Sequence, residues 1–236
     1  MVRARSLRRR PGRGRARPAA LGLVALSLVA AGLVACTRVQ ADPPPTRSVV
    51  TAASAGKEAK EGVGIAVFAG GCFWCMEPPF DAVPGVLSTT SGYTGGHVAN
   101  PTYREVSSGG TGHAEAELIR FDPRKVSYEK LLEVFWHNVD PVAVDRQFCD
   151  VGSQYRSAIF FVDAEQQRLA EASKRSLGAS GRFDRPIATQ IVPFKVFYPA
   201  ESYHQDYYRK NPVRYEFYRY HCGRDQRLRE IWGPPH

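Results

Sequence analysis

The chain has 236 residues, of which 43% are hydrophobic and 23% are charged, as expected for one globular domain with a sizeable core. Its formal net charge of +9 would suit a nucleic-acid-binding protein, but eight arginines and no acidic residue lie within residues 1–35. The rest of the chain has 24 basic and 23 acidic side chains, so we exclude nucleic acid as a partner.

The first 35 residues predict an export signal. Arginines are followed by an apolar run over residues 19–35, which is slightly short for a membrane span of about 20 residues. The run ends in Leu33-Val34-Ala35-Cys36, which resembles a bacterial lipobox, in which the cysteine is lipidated and becomes the mature N-terminus. We expect cleavage before Cys36 and an extracytoplasmic, periplasm-facing lipoprotein anchored to the membrane. An uncleaved anchor and a plain signal peptide are the alternatives.

Two further regions follow the export signal. Residues 36–61 are rich in proline, alanine, serine and charged residues, a composition that predicts a flexible tether. From residue 62 the composition becomes globular, and we expect the catalytic domain to span residues 62–236.

The first half of this domain reads mainly as strands. Residues 64–70 form a short apolar run that is closed by glycines, which predicts a buried strand. Residues 86–96 and 114–122 alternate in the way strands do. Between them, residues 93–113 are rich in glycine and lack periodicity, so they predict a long loop of the kind that is usually functional.

Helices alternate with strands in the second half. Ser127 is placed to cap a helix with an apolar stripe, and Asp163 to cap a polar helix that ends at Gly178. Residues 157–163 and 187–194 predict strands, and residues 201–210 a short helix. The alternation predicts an α+β fold, a two-layer α/β sandwich with a mixed central sheet flanked by helices and long loops.

Four cysteines follow the lipobox, at positions 72, 75, 149 and 222. Structural disulfides are common in exported proteins, but a bond between cysteines three apart closes too small a loop to constrain much chain. A zinc site usually needs two paired cysteine knuckles, and haem attachment needs a histidine where this chain has Met76. The pattern therefore favours thiol chemistry, with no metal.

Cys72 is the better placed nucleophile of the close pair. It directly follows a strand that ends in glycines and opens a helical segment, whereas Cys75 lies one turn further in. The unpaired N–H groups at a helix start favour a thiolate, so we expect the pKa of Cys72 to be lowered.

Four segments together resemble the A-type peptide methionine sulfoxide reductases: GCFWCMEPPFDAVPGVLSTTSGYTGG, NPTYREV, SGGTGHAEAELIRFDPRKVSYEKLLEVFW and DVGSQYRSAIFF. The order GCFW, GHAE, QYRS is highly specific, and the similarity runs from about residue 63 to residue 232. The resemblance implies thiol-dependent reduction of methionine S-sulfoxide, free or in proteins, by a monomer without a cofactor. A thioredoxin-like reductant would recharge the enzyme.

The resemblance also implies roles for the residues of GCFW. Cys72 would attack the sulfoxide sulfur, and Phe73 and Trp74 would form a pocket for the S-methyl group. Burying one methyl group contributes about 1 kcal/mol. The alternative is that both aromatic rings belong only to the core.

Four more positions match residues that act on the sulfoxide oxygen in this family. Glu115 matches the acid that protonates the oxygen, and Tyr103 and Tyr155 match the phenols that donate hydrogen bonds to it. Asp150 matches a residue that orders the site and its water. Without the resemblance, each could equally be an ordinary surface or core side chain.

A sulfenic acid on Cys72 would condense with a second thiol. Many relatives have GCFWG and two resolving cysteines in the tail, whereas this chain has Cys75 and one tail cysteine, Cys222. We slightly favour Cys222, because its polar, glycine-flanked tail could swing in, and keep Cys75 as the alternative. Cys149 could also be an inert buried thiol.

Two other classes of function stay open at this level. The CFWC segment would suit a thioredoxin-like disulfide exchanger, although the usual Gly-Pro between the cysteines is absent. A non-enzymatic lipoprotein with structural cysteines is the second. For the enzyme outside the cytoplasm, the reductant would be an exported thioredoxin-like protein or a membrane relay.

Overall fold

The computed structural model describes residues 48–234, so the predicted export signal, Cys36 and the first part of the tether lie outside the described residues. The helices α1 to α8 are Ala52–Lys60, Phe73–Asp81, Tyr103–Ser107, Tyr128–His137, Ala164–Ala179, Tyr207–Lys210, Pro212–His221 and Arg224–Trp232. The strands β1 to β9 are Val50–Thr51, Gly64–Gly70, Val86–Thr94, Ala114–Phe121, Arg146–Gln147, Asp150–Val151, Ser157–Phe161, Gln190–Pro193 and Val196–Pro199. Within residues 48–234, no helix has the length and apolar character needed to cross a membrane.

Seven of the described strands form one sheet, in the order β1-β9-β3-β4-β2-β7-β8. Every neighbouring pair is antiparallel except β7 and β8, which run parallel. The predicted mixed sheet and α+β class are therefore confirmed. Strands β5 and β6 pair separately as a short ribbon.

The central strand β2 is buried on both faces, as its continuous apolar run predicts. Ala66 and Phe68 project into a core that α2, α4 and α5 cover, while Ile65 and Val67 project into a second core on the opposite face. The ring of Phe68 has no exposed surface and stacks against aromatic rings from α2 and α4. This packing fixes α2, which begins at the cysteine pair, against the sheet.

Both predicted helix caps are present. The side chain of Ser127 accepts a hydrogen bond from the backbone N–H of Lys130, and that of Asp163 accepts one from Gln166. Each bond satisfies a backbone donor that the first turn of a helix leaves unpaired.

The prediction of a flexible tether is wrong for residues 50–60. Strand β1 pairs with β9, and helix α1 starts in a capping box formed by Thr51 and Ser54. Ala55 is buried against the sheet, and the guanidinium of Arg120 in β4 donates two hydrogen bonds, of 2.6 and 3.0 Å, to the carboxylate of Glu58. The low hydrophobicity of this segment was misleading, because short side chains and one ion pair suffice to dock the helix.

Replacing Glu58 with glutamine should lower the free energy of unfolding by about 1 kcal/mol, since the paired carboxylate is partly buried and its contact with Arg120 is bidentate. Glu61→Gln is the matched control, because Oε1 of Glu61 lies 4.0 Å from Nζ of Lys57 and both side chains are exposed, so this ion pair is weak. Urea unfolding of the two variants measures the difference. Equal stability would show that α1 is not held through Arg120.

The C-terminal segment is packed rather than loose. The predicted helix over residues 201–210 is reduced to the four residues of α6, and α7 and α8 follow it. Cys222 is the C-terminal cap of α7, and the neighbouring Arg224 is only 1% exposed. The guanidinium of Arg224 donates to the backbone carbonyls of Gly70 and Asn138, which ties the tail to the end of β2.

Candidate active site

A tight turn at the end of β2 positions Cys72. Gly71 has a φ of +85°, and a side chain there would lie 2.5 Å from Cβ of Gln147. Glycine is suited to this left-handed conformation because it has no Cβ. Cys72 then forms the N-cap of α2, so the prediction that it opens a helix is confirmed.

The thiols of Cys72 and Cys75 are buried, at 6% and 1% exposure, and share a hydrogen bond. Burial, followed by that hydrogen bond, raises the pKa of Cys72 well above its usual range. The expected lowering is therefore wrong: burial raises this pKa most, and Cys75, Glu115 and Asp150 all act in the same direction. The hydrogen bond from Cys72, followed by the charge of Arg224, lowers the pKa of Cys75 despite its burial.

Two aromatic rings flank the Cys72 thiol. Phe73 is 1% exposed, and Trp74 is half-buried. The indole N–H of Trp74 donates to Nδ1 of His204 at 3.0 Å, and its ring stacks on Tyr207 with centroids 3.7 Å apart. Trp74 is thus held in one orientation by the segment that precedes and forms α6.

Glu115 lies on β4 and is only 2% exposed. Its Oε2 accepts a hydrogen bond of 3.1 Å from the backbone N–H of Phe73. Burial raises the pKa of Glu115 to about 8, although this hydrogen bond acts in the opposite direction. A carboxyl with that pKa is mostly protonated at neutral pH and can donate a proton to a bound group.

Three more polar groups come from separate elements. Tyr103 begins the short helix α3, Tyr155 ends a 3-10 turn over Ser153–Tyr155, and burial raises the pKa of both phenols. Asp150 begins β6 and accepts a hydrogen bond of 2.5 Å at Oδ2 from the phenol of Tyr218 in α7. The phenols of Tyr103 and Tyr155, with their raised pKa, therefore stay protonated and can donate hydrogen bonds at neutral pH.

A cavity of about 60 Å³ joins these groups. It is lined by Cys72, Phe73, Trp74, Tyr103, Glu115, Asp150, Tyr155 and Tyr218. The first seven are the residues that the resemblance singled out, and the structure brings all of them to one place. Tyr218 was missed, because nothing in the local sequence separates it from the other tyrosines of α7.

The remaining cysteines form a second pair. Cys149 and Cys222 are joined in a disulfide across 73 residues of chain. The suggestion that Cys149 is an inert buried thiol is wrong, since it is exposed and bonded. The preference for Cys222 as the resolving cysteine finds no support in this state of the protein, because its sulfur is bonded to Cys149 while Cys75 is free and contacts Cys72.

The cavity combines a sulfur nucleophile, a protonated carboxyl and two phenol donors. Such donors stabilise negative charge that develops on a substrate oxygen. The volume suits a group of a few atoms, such as a sulfinyl group with its methyl. The walls beside Cys72 are aromatic, so an apolar methyl is accommodated on one side and a polar oxygen on the other.

Comparison with known proteins agrees with this arrangement. A family model described as peptide methionine sulfoxide reductase matches residues 64–235. The peptide methionine sulfoxide reductase MsrA of Bacillus licheniformis is 55% identical over 172 residues, which make up 73% of this chain and 95% of that protein. The corresponding protein of Bacillus subtilis is 54% identical over 169 residues, or 72% of this chain and 96% of its own length.

Solved structures with the same fold include methionine sulfoxide reductase A of Corynebacterium diphtheriae, with a TM-score of 0.59 and 35% identity. That match covers 64% of this chain and 76% of the other. The reduced form of Mxr1 from Saccharomyces cerevisiae has a TM-score of 0.60 at 30% identity and covers 65% and 88%. The chain therefore belongs to the peptide methionine sulfoxide reductase family, in its A-type branch.

Proposed function

We propose that the protein reduces methionine S-sulfoxide, free or in oxidised proteins, to methionine, and so repairs oxidative damage. The observation that carries this proposal is the single cavity in which the Cys72 thiol faces the same space as Glu115, Tyr103 and Tyr155. No prosthetic group is needed, because the thiol itself supplies the two electrons.

In the first step the sulfinyl group enters the cavity with its methyl against Phe73 and Trp74. Glu115 donates its proton to the sulfoxide oxygen while Tyr103 and Tyr155 donate hydrogen bonds to it, which makes the substrate sulfur more electrophilic. The Cys72 sulfur attacks that sulfur while the thiol proton replaces the one that Glu115 donated; the hydroxyl group passes to Cys72, and methionine leaves. Cys72 is oxidised to a sulfenic acid as the sulfoxide is reduced.

In the second step we propose Cys75 as the resolving cysteine. Its thiol is free and shares a hydrogen bond with Cys72, so it is in place to attack the sulfenic acid. A disulfide forms between Cys72 and Cys75, and the oxygen leaves as water. Pro78 and Pro79 in α2 have no N–H to donate to the carbonyls of Trp74 and Cys75, so the first turn is less constrained.

A peptide with a single methionine sulfoxide tests the function directly. The full chain is incubated with dithiothreitol and either the S or the R epimer, and the peptide mass is followed. We expect loss of one oxygen from the S epimer alone. A disulfide exchanger or a structural lipoprotein would leave both peptides oxidised, and equal loss from both epimers would contradict the assigned stereochemistry.

We further infer that the protein works outside the cytoplasm as a monomer, anchored to the membrane through a lipid on Cys36. Support comes from the arginine-rich start, the apolar run and the lipobox-like residues that precede Cys36. A thioredoxin-like protein dithiol on the same side of the membrane would then reduce the oxidised enzyme.

A further inference from the structure

A second cavity, of about 510 Å³, lies beside the Cys149–Cys222 disulfide. It is lined by Asp140, Ala143, Val144, Arg146, Phe148, Arg185, Cys222, Gly223 and Arg227. Only Cys222 of the bonded pair lines this cavity, so a molecule held there meets the disulfide from the Cys222 side. A volume of this order is typical of a site for a small molecule.

The wall of this cavity carries an excess of positive charge. Three arginines face one acid, Asp140, whose Oδ2 already accepts a hydrogen bond of 2.9 Å from Nε of Arg227. The ion pair between Nε of Arg185 and Oδ1 of Asp184 is long, at 3.9 Å, and the side chain of Asp184 is 94% exposed and does not line the cavity. Nη2 of Arg146 donates a hydrogen bond of 2.6 Å to the backbone carbonyl of Phe148. The other N–H groups of Arg146 and the guanidinium of Arg185 suit carboxylates, which arginine binds in a planar, two-pronged geometry.

A helix terminus adds to this charge. Gly223, which lines the cavity, is the N-cap residue of helix α8, and no side chain caps the first turn of this helix. Its N–H groups give that end of the helix a positive potential. Asp225, the one acid in the first turn, pairs with Arg219 and leaves this potential in place.

We propose that this cavity binds a low-molecular-weight thiol bearing carboxylates and that the Cys149–Cys222 disulfide is where this thiol delivers electrons. The arginines and the helix terminus would hold the carboxylates and place the thiolate against Cys222. The role of this thiol as a source of electrons for sulfoxide reduction rests on the proposed function. The exchange at the disulfide is separate from it and can be measured alone.

The exchange step balances with two molecules of the thiol. The first thiolate attacks Sγ of Cys222 and forms a mixed disulfide, while Cys149 leaves as a thiolate and takes the proton that the reductant lost. The backbone N–H of Cys149 points at Sγ of Cys222, 3.2 Å away, and so favours the negative charge that arrives on that sulfur when Cys222 leaves in the second exchange. A second thiolate attacks the outer sulfur and releases Cys222, so the protein disulfide is reduced and the two reductant molecules become a disulfide.

The position of this disulfide connects it to the active site. Cys149 directly precedes Asp150, and Cys222 lies four residues after Tyr218 in the sequence. The hydrogen bond between Asp150 and Tyr218 lines the Cys72 cavity, so the disulfide is a second link between the same two elements. Electrons delivered here therefore arrive beside two residues, Asp150 and Tyr218, that line the cavity of Cys72.

The test follows reduction of Cys149–Cys222 in the oxidised full chain, without any sulfoxide, by alkylation and peptide mass mapping. The reductants are 3-mercaptopropionate, 2-mercaptoethanol and cysteamine, which are anionic, neutral and cationic. In the double variant Arg146→Gln, Arg185→Gln, reduction of the disulfide by 3-mercaptopropionate should be about tenfold slower at low salt. Reduction by 2-mercaptoethanol should keep its rate, and reduction by cysteamine should not become slower. The decrease in the rate with 3-mercaptopropionate should be smaller at high salt, because salt screens the attraction between the arginines and the carboxylate.

The matched control replaces Arg168 and Arg175 with glutamine, since these exposed arginines of α5 carry the same charge but do not line the cavity. It should leave all three rates unchanged. The single variant Arg185→Gln gives a second measurement with a smaller expected loss. An equal change for all three thiols, or no change in the cavity variants, would overturn the proposal. Because the readout is the disulfide, a failure to reduce sulfoxides would not affect it.

Discussion

Cys72→Ser should abolish reduction of methionine sulfoxide, lowering turnover by on the order of 10⁴-fold or more, as loss of a catalytic nucleophile does. A serine hydroxyl cannot carry the oxygen as a sulfenic acid, so neither the attack nor the later disulfide can form. The measurement is methionine released with dithiothreitol present, and residual activity within tenfold of the unaltered chain would rule out Cys72 as the nucleophile.

Two further variants separate attack from resolution. Without reductant, Cys75→Ser and Cys222→Ser should each still release about one methionine per protein, because both keep Cys72. The sulfenic acid should persist in Cys75→Ser, where dimedone traps it, and disappear in Cys222→Ser. A disulfide from Cys72 to Cys222 in the unaltered chain would show that the tail cysteine resolves the intermediate instead.

Glu115→Gln should lower kcat/KM roughly 10²- to 10³-fold, because the amide keeps the shape of the side chain but has no acidic proton to transfer to the sulfoxide oxygen. The pH profile should change as well. The pKa of Glu115 is raised to about 8, so its protonated form is present below that pH and is lost as the pH rises. Activity of the unaltered chain should therefore fall above about pH 8, and the glutamine variant should lack this fall.

Glu117 offers a matched control on the same strand. It is fully buried, burial raises its pKa, and its carboxyl accepts a hydrogen bond from Ser91, but it does not line the Cys72 cavity. Glu117→Gln should keep both the rate, within a few-fold, and the alkaline fall. If the two variants lose activity equally, the effect comes from burial on β4 rather than from proton donation.

Local patterns were sufficient to predict much of the fold. The apolar run of β2, the alternation of β4 and the caps at Ser127 and Asp163 each depend on neighbouring residues alone. Helix α1 was missed because its stability comes from a partner far along the chain, Arg120. The helical tail was missed for the same reason, since the contacts of Arg224 lie about 150 and 90 residues earlier.

The candidate site could be assembled from the sequence only through the resemblance. Cys72, Tyr103, Glu115 and Tyr155 come from four elements, and spacing along the chain does not show that they meet. The pKa of Cys72 was mispredicted because the helix terminus is visible in the sequence while burial is not. The pairing of Cys149 with Cys222 likewise depends on tertiary contacts.

The two-residue strand β1 has a practical consequence for handling the protein. It covers the outer side of β9, and it is followed at once by α1. A fragment that began at residue 62, where the composition becomes globular, would leave the backbone groups of β9 unpaired at an exposed edge of the sheet. Exposed edge strands pair with strands of other molecules and so promote aggregation. A recombinant fragment should therefore retain the residues from 48 onward.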